Sequence, residues 1–207
     1  MSWNSSLIIA NEREPGYLGT APLYSLAASM QLVRTMKIPA GHRTHVVSLQ
    51  SALERTDGWF TVAAFDGAAL IADAPDLIGT VEDDRNGFIK RFVALYPNAT
   101  ILAFDLGSGT NYAAYQWFEK SVLKRKVAGD AERGLAINFG APLEEETEIF
   151  NKHPGKEFPY LGESLAFNLC KRFFGSPLDE FDDEILPVQH VKLVPRFFIT
   201  LRKLLRR

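Results

Sequence analysis

The sequence predicts an α/β (α+β) fold: a single domain with a mixed, mostly antiparallel sheet and about three to four packing helices. Three observations carry this expectation. Short apolar runs bounded by turn residues recur along the chain, as at Leu7–Ala10, Trp59–Ala64 and Thr100–Leu106. Between them lie segments whose apolar residues return at three and four, the spacing of one helix face. With 207 residues, 46% of them hydrophobic and 12% aromatic, the chain has the length and the side chains for one substantial core.

Leu7–Ala10 reads as a first strand, stopped by the polar turn Asn11–Gly16. From Pro22 to Met36 the residues Leu23, Leu26, Ala27, Met30, Val33 and Met36 share a helix face, with Pro22 placed to open the helix and Pro39–Gly41 to close it. Thr44–Leu53 reads as a strand, or a strand and a turn. Trp59–Ala64 and Ala68–Ala72 flank Asp66–Gly67, a pair suited to a type I′ hairpin turn. Glu82, Asp83 and Asp84 precede the amphipathic stretch Phe88–Tyr96, where carboxylates favour the positive end of a helix dipole.

Thr100–Leu106 is a buried strand leading through Gly107–Asn111 into an aromatic strand and then a basic one. Gly129–Asp130 reads as a turn, Leu135–Phe139 as a strand, and Glu144–Gly155 as polar and irregular. Tyr160–Phe174 predicts one long helix, with Leu161, Leu165, Leu169 and Phe173 on its stripe and Gly175 at its end. An acidic loop over 179–184 and a strand Val188–Val194 complete a domain over residues 1–195. Residues 196–207 read as a basic amphipathic tail helix.

Lys and Arg number 23 against 25 Asp and Glu, a net charge of −2, so nucleic acid is not the expected partner. The aromatic and basic run around Tyr115, Trp117, Lys120, Lys124, Arg125 and Lys126 reads as a half-buried strand with a solvated edge. One cysteine, Cys170, excludes an internal disulfide and fits a reducing compartment. The N-terminus lacks a basic region, and no apolar stretch approaches the roughly 20 residues of a spanning helix. A cytoplasmic location is the expectation.

The best candidate ligand site is the loop Asp105, Ser108, Gly109, Thr110 and Asn111. FDLGSGTN is similar to the phosphate loop of the actin and sugar-kinase ATPases, where backbone N–H groups and hydroxyls cradle an anion. Asp57 and Glu145 are possible neighbours of this site. The chain has no G-x-x-x-x-G-K-[ST] and no G-x-G-x-x-G. No Gly-x-Ser-x-Gly elbow is present, and Cys170 falls on an apolar stripe, so neither residue type suggests a nucleophile. His42 and His45 stand three apart, but they enter a β-leaning run with no carboxylate at helical spacing, so no metal site is expected. No cofactor is expected either.

In the tail, Phe197, Phe198, Leu201, Leu204 and Leu205 share one helical face, with Arg196, Arg202, Lys203, Arg206 and Arg207 on the other. Arg196, Phe197, Phe198, Leu201, Arg202 and Leu205 are therefore a candidate surface for a partner, for a second copy, or for peripheral contact with an anionic membrane.

TNYAAYQWFEKSVLKRKV, INFGAPLEEE and LGESLAFNLCKRFFGSPL together resemble a family of small bacterial proteins, many of them actinobacterial, known only as a domain of unknown function. The likeness spans Ala99–Leu178. It implies a single α/β domain and brings no activity with it. The leading expectation is a non-catalytic protein with a macromolecular-interaction or self-association role. The alternative is a small enzyme or a phosphate- or nucleotide-binding protein using the Asp105–Asn111 loop.

Overall fold

The computed structural model describes residues 4–49, 53, 58–158, 160–182 and 186–193. Among the described residues nine strands form one sheet: β1 (Asn4–Asn11), β2 (Ala40–Val47), β3 (Trp59–Phe65), β4 (Ala68–Ala72), β5 (Thr100–Gly107), β6 (Tyr112–Glu119), β7 (Val122–Asp130), β8 (Gly134–Phe139) and β9 (Val188–Leu193). Their spatial order is β2-β9-β3-β4-β1-β5-β6-β7-β8. Every pairing is antiparallel. Short connections make this possible, since β3–β4 and β5 through β8 are joined by tight turns rather than crossovers.

The sheet is covered on both faces. Leu7, Ile9, Leu102, Phe104, Tyr115 and Trp117 point to one side, under helices α3 (Glu144–Lys152), α4 (Gly162–Leu169) and α5 (Lys171–Phe174). Ile8, Ala10, Phe60, Ile71, Ile101 and Ala103 point to the other, under α1 (Leu26–Met36) and α2 (Phe88–Leu95). Central strands buried on both sides need apolar residues at every position, so β1 and β5 read as unbroken runs rather than alternating ones. At roughly 25 cal/mol per Å² of apolar surface, these two cores are the main source of stability.

Several elements differ from the sequence expectation. Helix α1 begins at Leu26 rather than Pro22, because the Ser25 hydroxyl accepts the Ala28 N–H as N-cap. Leu23 is left exposed, and the buried face is Ser29, Leu32, Val33 and Met36. Ser29 fits there because its hydroxyl donates to Ser25 O and accepts the Ala64 N–H of β3. At the hairpin, Gly67 alone of the two central residues has positive φ, which excludes type I′. Helix α2 is capped from upstream: the Asp84 carboxylate accepts the N–H groups of Ile89 and Lys90 at 2.8 and 3.1 Å.

Gly129 and Asp130 lie inside β7, and the turn falls at 131–133. The segment expected to be irregular is helix α3. Its inward residues include Glu145 and Glu146, so no apolar stripe marks it. The long helix expected over Tyr160–Phe174 is two helices meeting at Cys170, whose carbonyl accepts from both Phe173 and Phe174. Its predicted stripe is nonetheless buried throughout. Gly162 is required at its position, since a Cβ there would sit 2.2 Å from Ala113 Cβ on β6.

Strand β2 begins at Ala40 and β9 ends at Leu193. The tail residues Arg196, Phe197, Phe198, Leu201, Arg202 and Leu205 lie outside the described residues, as does Asp57. Among the described residues no helix is long and apolar enough to cross a membrane.

Candidate functional site

The predicted ligand loop leaves β5 at Gly107, makes a 3-10 turn over Ser108–Thr110, and enters β6 at Tyr112. Asp105 alternates to the α1–α2 face and is buried, its Oδ2 accepting the Gly79 N–H at 2.6 Å. Gly109, Thr110 and Asn111 are exposed, Asn111 at φ 49°. The structure thus directs the Asp105 carboxylate inward, while Gly109, Thr110 and Asn111 lie at the surface and the Ser108 side chain lies outside the described residues. Beside Asp105, burial first and then the Asp105 and Glu82 charges hold the Tyr112 hydroxyl well above its usual range. Arg133, in the β7–β8 turn, donates to Glu82 at 3.0 Å and to Asp130 at 2.6 Å. Gln116 donates to Val81 O. Asp105, Gln116 and Arg133 together fasten segment 74–87 over this face.

Glu145, a possible neighbour of the loop, belongs to the opposite face of the sheet, where it pairs with Arg172. Arg125 is not part of a solvated basic edge. It is 4% exposed and paired with Glu146, which is 1% exposed. Its Nε and Nη2 donate to the two Glu146 oxygens at 2.9 Å each. Its Nη1 donates to Asn138 Oδ1, Phe139 O and Gly140 O at 2.6, 3.1 and 2.8 Å. Burial, reinforced by Glu146, pushes the neighbouring Tyr115 hydroxyl up. One guanidinium thereby fixes the C-terminal end of β8.

Among the described residues strand β8 is an edge of the sheet, and it exposes Leu135, Ala136 and Phe139 beside Asn138. Leu135 is 45% exposed and Phe139 53% exposed, and the strand Gly134–Phe139 carries no charged residue. The other edge, β2, exposes His42, Arg43 and His45. Edge strands ordinarily carry charge, proline or a bulge against unwanted pairing; β8 has no charge and no proline, and its register with β7 shifts at Ala136.

Residues 5–193 match the model of a family described as a family of unknown function, DUF6928. The chain belongs to that family. The DUF6928 match runs from β1 to β9 and so takes in the whole sheet, beyond the 99–178 stretch in which the resemblance was legible. No curated protein matches the chain, and no solved structure matches it.

The exposed edge of this DUF6928 chain was the feature sequence reasoning missed. Leu135–Phe139 reads as a strand from the sequence, but its place at the end of the sheet follows from strand order. The available signal was the uncharged run itself, set between Arg133 and Glu144.

Proposed function

We propose that this protein acts without catalysis, through self-association in which β8 of one copy pairs antiparallel with β8 of another. The carrying observation is the uncharged edge strand with Leu135 and Phe139 in solvent. Two identical edges meeting about a two-fold axis are self-complementary by construction. Centring the pair on Ile137 sets Leu135 of each copy against Phe139 of the other and joins two nine-stranded sheets. The Arg125 clamp on Asn138, Phe139 and Gly140 supports this reading, because a strand already held in place loses less freedom on pairing.

Size-exclusion chromatography with light scattering tests it on the full chain, a 1–195 truncation and a Leu135→Lys/Phe139→Lys variant. The expected result is a dimer in the first two and a monomer in the third. A monomeric wild type overturns the proposal. So does a dimer that survives both lysines and disappears with the tail.

A further inference from the structure

We propose that His45 and His190 form a binding site for a divalent transition-metal ion of the zinc, copper or nickel type. The two residues are direct partners across β2 and β9, so their side chains leave the sheet on one face. Thr61 is the partner of His190 on β3. His45, His190 and Thr61 therefore form a single row across three neighbouring strands. His42, the nearer histidine in sequence, is not the partner that the sheet supplies.

The spacing suits a shared ion. The two imidazole centroids are 5.1 Å apart. An ion bound about 2.0 Å from an imidazole nitrogen lies roughly 3.2 Å from the ring centre, which puts two tetrahedrally arranged rings about 5 Å apart. Trp59 walls the site, its ring 4.9 Å from His45 and 5.0 Å from His190. That indole restrains both imidazoles. His45 is exposed and gives an ion a way in, while His190 is only 7% exposed.

One further observation favours metal over a plain aromatic cluster. The Thr61 hydroxyl oxygen is fully buried and has no hydrogen-bond partner, a state that a bound ion or its water would relieve. Among the described residues no three His, Cys, Asp or Glu side chains cluster, so two imidazoles bind and solvent completes the shell. An all-imidazole protein set selects zinc, copper or nickel over magnesium or calcium. Lys192, 5.5 Å over the Trp59 ring, opposes the cation and keeps the affinity modest.

The test is isothermal titration of the full chain with nickel and zinc chlorides near neutral pH. Wild type, His45→Gln, His190→Gln and the control His42→Gln are compared, with circular dichroism melts to confirm folding. The expected result is one ion per chain, bound about tenfold or more weakly in the first two variants and unchanged in the control. Should buried His190→Gln fail to fold, exposed His45→Gln decides the matter. No binding by wild type overturns the site, as does equal binding by His45→Gln.

Discussion

Arg125 on β7 and Glu146 on α3 meet as a two-pronged buried ion pair, with Nε–Oε1 and Nη2–Oε2 both 2.9 Å. The remaining donor nitrogen of the same guanidinium holds Asn138, Phe139 and Gly140. Strand, helix and sheet edge are thereby joined through one side chain. Such a pair adds little net stability over an apolar filling, but removing one member leaves the other charged and buried.

Arg125→Met is accordingly expected to destabilise the fold by about 3–5 kcal/mol, read from urea unfolding. Arg125→Met/Glu146→Leu should recover most of that loss, because no orphaned carboxylate remains. Equal losses in the single and double variants would show that the pair's geometry, not the stranded charge, matters.

Gly162→Ala forces a Cβ to within 2.2 Å of Ala113 Cβ, between helix α4 and strand β6. The expected loss is about 1–3 kcal/mol, typical of overpacking at a tight contact. Chemical denaturation measures it. A variant as stable as wild type would mean that α4 shifts outward freely.

Glu148 is held down to about 2, first by Lys171 and then by Asn168 and Lys152. The lowered value means the folded state keeps this carboxylate ionised where the unfolded chain protonates it. Its contribution is therefore present above about pH 4.5 and is lost as pH falls toward about 2. Glu148→Gln should flatten that part of the melting-temperature profile between those limits. An unchanged profile would remove Glu148 from the acid response.

Cys170 is fully buried beside Phe173 and Phe174, and burial first, then Asp179, pushes its thiol far up. Its reaction with a thiol reagent should therefore proceed only as fast as the protein opens. Stopped-flow labelling against unfolding rates checks this. Rapid labelling of the native protein would contradict it.

How much of this was legible in the sequence depended on where each element finds its partners. Leu7–Ala10, the Asp66–Gly67 hairpin and Thr100–Leu106 were readable because apolar runs and turn residues mark them locally. Helix α3 was not, since its inward Glu145 and Glu146 are stabilised by Arg172 and Arg125 from other elements. The break at Cys170 was hidden because both short helices keep their apolar residues on the core side. Strand order was invisible for a related reason: β9 inserts between β2 and β3, a pairing that no local pattern encodes. The loop at Asp105–Asn111 was found as a turn, but the inward path of Asp105 follows from its partner Gly79 in another segment.

The most direct measurement of the self-association account is amide hydrogen exchange of residues 135–139 at low and high protein concentration. Pairing through β8 predicts protection there that rises with concentration, while β2 at the opposite edge stays unchanged. Exchange across 135–139 that is the same at every concentration, or protection that rises only elsewhere, would contradict it.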